Sequence, residues 1–286
     1  MRRTCERRGV DRPPVRPATI PRLGLCGACG SLPACVCGRL PFIGHPTCPP
    51  EPGAVSSLTT ALALVRRNFQ STRRPALIPF QIDPAGWASG ATRVVSPNFD
   101  ARPPGMEVEL LVVHNISLPP GVFGGPAIAA FFTNTLDHDS HPFFAQIRGV
   151  RVSAHFLIRR DGAVVQFVSC EARAWHAGLS EFFGRERCND FSVGVELEGA
   201  DDVPFDAAQY RALAQLTDAL MARYPIKAIA GHADVAPHRK TDPGPCFDWR
   251  TLQKACGLPG RYFPYQADMP DAVPASGADS GASRQP

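Results

Sequence analysis

The residues with chemistry to offer crowd into one short run, GHADVAPHRKTDPGP at 231–245. It holds His232, Asp234, Lys240 and Asp242, interrupted by Pro237, Pro243 and Pro245 with Gly244. Proline removes a backbone donor and clashes with the preceding turn, so no continuous helix can run through it. A stiff loop is expected, of the kind that presents reactive groups from a rigid scaffold. An imidazole nitrogen and a carboxylate oxygen both suit a borderline-soft dication such as zinc, but His232 and Asp242 are only two ligands. A third ligand, a group that moves protons and a substrate groove must come from elsewhere.

His114 is the candidate third ligand. It closes EVELLVVH (107–114), an apolar run, β-branched at its end, that reads as a strand. Open α/β sheets gather their chemistry at such strand ends. A second strand, IKAIAGH (226–232), also ends in a histidine. A lone histidine at a strand end is more often structural or exposed, so the weight rests on the pair. Together with Asp242 they would form a His₂Asp set that leaves the fourth tetrahedral position to water, as catalytic zinc sites do. Zinc brings the pKa of such a water to about 7.

Glu196 is the candidate proton carrier. FSVGVELEG (191–199) alternates with the strand period. Phe191, Val193, Val195 and Leu197 fall on one face, and Ser192, Gly194, Glu196 and Glu198 on the other. Apolar neighbours raise a carboxyl's pKa toward the range useful for proton transfer. Alternation does not separate Glu196 from Glu198, and a surface carboxylate is an equally good reading of either. Lys240 could face an oxyanion, or be a solvated loop charge. His138, His141, His155, His176 and His238 are expected to be hydrogen-bonded, core or surface residues rather than ligands. Ser117, Ser153 and Ser192 lack a nucleophile-elbow context, which disfavours a serine hydrolase.

The elements that must position these groups follow from periodicity. Residues 127–136 read as a short helix between loops at 115–125 and 137–149. Strands at 152–160 and 163–169 flank Asp161-Gly162, a strong hairpin signal. Asp206 caps a helix reaching about Arg223, with Tyr210, Leu213, Leu216, Leu220 and Met221 as its apolar stripe. A last helix runs from near Asp248 to Gly257. The expected fold is α/β, a single mixed sheet packed by helices. The domain is expected over 78–262 with its core at 107–250, followed by a disordered tail at 263–286.

Composition narrows the class further. Residues 1–75 carry twelve arginines against three acidic groups, whereas the rest carries eighteen basic and twenty-three acidic residues. The basic excess therefore belongs to the N-terminal stretch, and nucleic acid is not the expected partner of the globular part. No apolar run is long enough to span a membrane, and AVSSLTTALALV (54–65) is too short and too far from Met1 for a signal peptide. Six of ten cysteines lie within residues 5–48. Cys26, Cys29, Cys35, Cys37 and His45 or Cys48 could form a zinc knuckle, but the spacing is too tight for a familiar finger. The simpler expectation for 1–77 is a disordered extension or sequence read from a misplaced start. Cys170, Cys188, Cys246 and Cys256 have no paired spacing and are expected as free thiols.

Long runs of the chain resemble the AmpD-type N-acetylmuramoyl-L-alanine amidases, zinc enzymes related to phage lysozyme-amidases and peptidoglycan-recognition proteins. The runs are SPNFDARP, LLVVHNISLPPGVFGG, HPFFAQIRGVRVSAHFLIRRDG, RAWHAG, GRERCNDFSVGVELEG and GHADVAPHRKTDPGPCFDW, within about 85–252. The resemblance implies an amidase/peptidoglycan-recognition-like fold and one catalytic Zn²⁺ on His114, His232 and Asp242. It implies Glu196, rather than Glu198, as acid/base and Lys240 as the transition-state stabiliser. Asn115, Arg151, Trp175 and Arg187 sit in matching runs as candidate groove residues for sugar and stem peptide. The implied reaction is hydrolysis of the lactyl amide between (1,6-anhydro-)N-acetylmuramic acid and L-alanine, in cytoplasmic cell-wall recycling. A muropeptide substrate is then the expected partner of a monomer, with no nucleic acid and no membrane. A recognition module without catalysis is the rival, but such modules lose a ligand and all three are present here.

Overall fold

The computed structural model describes residues 80–271. The proposed zinc knuckle, the rest of the 1–77 extension and residues 272–286 of the tail lie outside the described residues or at their margin. Six strands form the main sheet: β1 (Thr92–Arg93), β3 (Leu110–Ile116), β4 (Phe156–Ile158), β5 (Val164–Gln166), β9 (Ser192–Glu198) and β10 (Ala228–Gly231). A two-stranded sheet pairs β2 (Phe99–Ala101) with β6 (Ala172–Ala174), and a hairpin joins β7 (Glu181–Phe182) to β8 (Arg185–Glu186). The order across the main sheet is β1-β5-β4-β9-β3-β10. Only the β4–β5 pairing is antiparallel, so the sheet is mixed, as expected.

Parallel strands need cover on both faces, and β9 is buried along its whole length. On one face Leu111, Val113, Val193, Val195, Leu197 and Ile229 pack against helix α3 (Ala207–Arg223) and helix α5 (Trp249–Cys256). The Asp206 carboxylate and Gln209 form the capping box that starts α3, and Asp248 caps α5 through the Thr251 amide. The predicted stripe of α3 is buried at Tyr210, Leu213, Leu216 and Leu220, with Met221 half-buried at its edge.

The other face carries two separate apolar clusters. One is built around α1 (Ala127–Phe132) and α2 (Pro142–Gln146), where Ile128, Phe132 and Phe144 meet Leu157 and Phe167. The second joins Leu110, Val112, Ala228 and Ala230 to Ala177 and Val235. His114, Ser192, Gly194 and Glu196 belong to this same face by alternation, between the two clusters.

Several local expectations are corrected. β3 continues two residues beyond His114, because Asn115 and Ile116 keep pairing with Leu197 and Glu198. α1 stops at Phe132, and the stretch taken as a loop contains α2, whose first turn starts on Pro142 with the His141 imidazole accepting from the Phe143 amide. His232 does not end a strand; it opens a one-turn helix, α4 (His232–Val235), within the run expected to be all loop. The polar side of β9 is not solvated. Nor does the domain end at 262: Phe263 is buried in the main core, and the Pro270 carbonyl accepts from Gln253 Nε2 and the Gly260 amide. Cys170, Cys188 and Cys256 are free thiols, as expected. No helix among the described residues is long and apolar enough to cross a membrane.

Candidate metal centre

The register of three parallel strands brings the candidate ligands together. Val113 pairs with Gly231, so the next residues, His114 and His232, leave neighbouring strands side by side. Asp242 is returned to them by the proline-rich loop, whose carbonyl at Asp242 accepts from the Ala233 amide in α4. His114 Nδ1, His232 Nδ1 and Asp242 Oδ2 are mutually 3.0 Å apart. Both histidines are buried and the carboxylate is only slightly exposed.

The loop is held rigidly. Asn115 Nδ2 donates to Asp201 Oδ1 at 2.7 Å and to the Pro243 carbonyl at 3.1 Å. Gly244 adopts φ +82°, and a Cβ there would lie 2.4 Å from Asp201 Cα, so only glycine lets the loop close. Asp234 is not part of the trio: its carboxylate accepts from the Gly231 amide at 2.8 Å.

The donor set itself points to a cation. His232 Nε2 lies 3.1 Å from the Ala177 carbonyl, which can only accept, so in the neutral ring Nε2 carries the proton and Nδ1 offers its lone pair. His114 likewise turns Nε2 away, toward His176 Nδ1 at 3.0 Å. Two imidazole lone pairs and a carboxylate oxygen converging at 3.0 Å repel one another unless a positive charge sits among them. This arrangement fits zinc, which takes nitrogen and oxygen donors tetrahedrally and leaves a corner for solvent when the protein supplies three. Burial and the neighbouring His232 push the His114 imidazole down to about 4, against the pull of Asp242, which favours the neutral ring a metal would need.

Glu196 and Glu198 have opposite surroundings. Glu196 pairs with His114 across β3–β9, and its buried Oε2 has no hydrogen-bond partner. Burial, reinforced by the Asp242 charge and opposed by Lys240, lifts its carboxyl well above the ordinary value. Glu198 is fully engaged: Oε1 accepts from the Gly124 amide at 2.6 Å and from Arg159 at 3.2 Å, and Oε2 from the Arg160 amide at 3.3 Å. Lys240 is exposed beside the cluster, close enough for its charge to act on both Glu196 and His114.

The expected groove residues are more scattered. Arg151 is exposed. The half-buried Trp175 bonds to the Asp100 carboxylate, which Arg173 also grips at 2.5 and 2.6 Å. Arg187, in a left-handed conformation, pairs with Asp190 at 3.1 Å and stays exposed. Asn115 spends its amide on Asp201 and on the Pro243 carbonyl, which makes it a brace for the loop that carries Asp242. Sequence reasoning named His176 and Ser192 without giving them a place at the site and left out Ala177 and Asp201; His176 touches His114, Ser192 touches His176, the Ala177 carbonyl meets His232, and Asp201 braces the loop. The remaining histidines behave as expected, with His155 buried between the Gly194 amide and the Ala172 carbonyl.

Comparison with known proteins agrees with this picture. Residues 104–245 match the family model described as N-acetylmuramoyl-L-alanine amidase. The chain is 61% identical over 166 residues to 1,6-anhydro-N-acetylmuramyl-L-alanine amidase AmpD of Escherichia coli (strain K12), covering 57% of this chain and 91% of that protein. It is 50% identical over 167 residues to AmpD of Haemophilus influenzae, again with 57% and 91% covered. A crystal structure of a selenomethionine AmpD derivative superposes with a TM-score of 0.59 at 57% identity, covering 60% of this chain and 97% of that one.

Proposed function

The chain belongs to the N-acetylmuramoyl-L-alanine amidase family, and from that membership we propose that it hydrolyses the lactyl amide of 1,6-anhydro-muropeptides, zinc-dependently, in cytoplasmic cell-wall recycling. The substrate class follows the name carried by AmpD, of which this chain covers nine-tenths. The observation that carries the reading is the meeting of His114 Nδ1, His232 Nδ1 and Asp242 Oδ2 beside an unpartnered, buried Glu196.

In this reading His114, His232 and Asp242 hold one Zn²⁺, which when bound supplies Lewis acidity and a water that ionises near neutral pH. Glu196 takes a proton from the attacking water and returns it to the departing alanine nitrogen, so water is added across the C–N bond. Its raised pKa suits it to give the proton back. Lys240 faces the oxyanion that develops on the lactyl oxygen. Arg151, Trp175 and Arg187 are the groove groups available to sugar and stem peptide, with Asn115 offering its remaining oxygen.

The test is metal analysis of the purified protein together with product analysis on two substrates, anhydro-muropeptide and intact sacculi. One zinc per chain and release of L-alanine-terminated peptide from the soluble anhydro-muropeptide are expected. A protein without zinc, or one that cleaves only sacculi, overturns the reading.

A further inference from the structure

We propose that His176 and Ser192 are positioning residues that set the tautomer of His114 and so decide which of its nitrogens is offered to the metal. The inference rests on the metal site proposed above, but its first readout needs no metal.

The direction of the chain of contacts is forced from its far end. Ser192 Oγ lies 2.6 Å from the Cys188 carbonyl, a separation that two oxygens tolerate only with a proton between them. The hydroxyl therefore spends its one proton on Cys188. At 3.2 Å from His176 Nε2 it can then only accept, so His176 carries its proton on Nε2. His176 is buried with its ring against two further imidazoles, His114 and His155, a setting that favours the neutral ring. A neutral imidazole protonated at Nε2 has a bare Nδ1. That atom faces His114 Nε2 at 3.0 Å, so His114 must donate from Nε2 and keep Nδ1 as a lone pair. The end of this relay is the nitrogen 3.0 Å from both His232 Nδ1 and Asp242 Oδ2.

The backbone makes room for the relay. A Cβ at Gly194 would lie 2.4 to 2.7 Å from the His176 ring, so the imidazole lies against β9 only because that residue is glycine. Gly194 is itself clamped, its amide donating to His155 Nδ1 and its carbonyl accepting from the His155 amide, each at 3.0 Å. Ligand-orienting partners of this kind typically change metal affinity 10- to 100-fold when removed.

The experiment compares the whole protein with His176→Phe, His176→Gln and Ser192→Ala. Long-range ¹H–¹⁵N correlation spectra of the metal-free proteins read the histidine tautomers, and competition with a chromophoric chelator reads zinc affinity. Wild type is expected to show His114 protonated at Nε2. His176→Phe should mix the His114 tautomers and weaken zinc by about 10- to 100-fold. His176→Gln, which can accept from His114 and donate to Ser192, should recover most of that loss. Ser192→Ala removes one oxygen from a buried strand position and should release the His176 tautomer, so it carries the test if His176→Phe does not fold. Unchanged tautomers in Ser192→Ala, or wild-type zinc affinity in folded His176→Phe, overturn the proposal. Failure of wild type to bind zinc would instead defeat the metal site, while the metal-free spectra still judge the relay.

Discussion

His114 and Glu196 occupy paired positions on the adjacent parallel strands β3 and β9, with Cα partners in register. One register thus places the candidate ligand and the candidate proton carrier together, and it places Glu198 two residues on, against Ile116. A slip of one residue would turn every side chain of β9 to the opposite face, so the burial of Val193, Val195 and Leu197 is what holds Glu196 on the site side.

Glu196→Gln should bind zinc stoichiometrically yet lose about 10²- to 10⁴-fold in kcat, the usual contribution of a positioned acid/base. Zinc content and anhydro-muropeptide turnover measured on one preparation check this. Near-wild-type turnover would end its assignment as the proton carrier.

Glu198→Ala should do the reverse. It strands Arg159 and the Gly124 and Arg160 amides, at a cost of about 3 kcal/mol in unfolding free energy. The fraction that remains folded should keep its turnover, read by urea titration beside the same assay.

Asp242→Asn should remove a charged ligand and with it the stabilisation that zinc gives. Wild type should lose thermal stability on chelation and regain it with zinc, by about 2.7 kcal/mol at a hundredfold excess over the dissociation constant. The variant should show little such shift. Equal zinc-induced shifts in both proteins would remove Asp242 from the site.

Lys240→Met keeps the side chain's reach without its charge. It should lower kcat by about 10²-fold, as expected when one oxyanion donor is lost, with zinc affinity unchanged. Loss confined to KM would assign Lys240 to ground-state binding.

His155→Gln tests a buried neutral histidine. Burial, with Arg102 adding to it, brings the imidazole down to about 3 from an unfolded value near 6.5. Between those values the unfolded chain binds a proton that the folded chain refuses. His155 therefore stabilises fully above about pH 6.5, and that stability drains away as pH falls toward 3. Wild type should lose up to about 1.4 kcal/mol per pH unit more than the variant over this window. Glutamine can keep both bonds, accepting from Gly194 and donating to Ala172, so neutral-pH stability should change little. Parallel pH profiles of denaturant midpoint would refute it.

Much of this was readable along the chain because it depends on neighbours in sequence. Asp206 with Gln209, the stripe of α3, and the Asp248–Gly257 limits of α5 follow from capping and period, and the structure keeps them. β3 and β10 were readable as apolar runs, although β3 runs on past His114 and His232 opens α4 instead of ending β10. α2 was not, because Pro142 and a histidine cap disguise so short a helix. Nor was the burial of both faces of β9, since alternation reports polarity and not what covers it.

The amino-acid order by itself determined which groups were available: two imidazoles after apolar strands, a carboxylate in a proline-stiffened loop, and two glutamates on one strand face. Only the tertiary structure decided between them. It gave Glu198 to Arg159 and two amides, left Glu196 Oε2 without a partner, and drew His176 and Ser192 from separate segments behind His114. Those choices depend on distances between residues far apart in sequence, which strand register and packing set and local periodicity cannot encode.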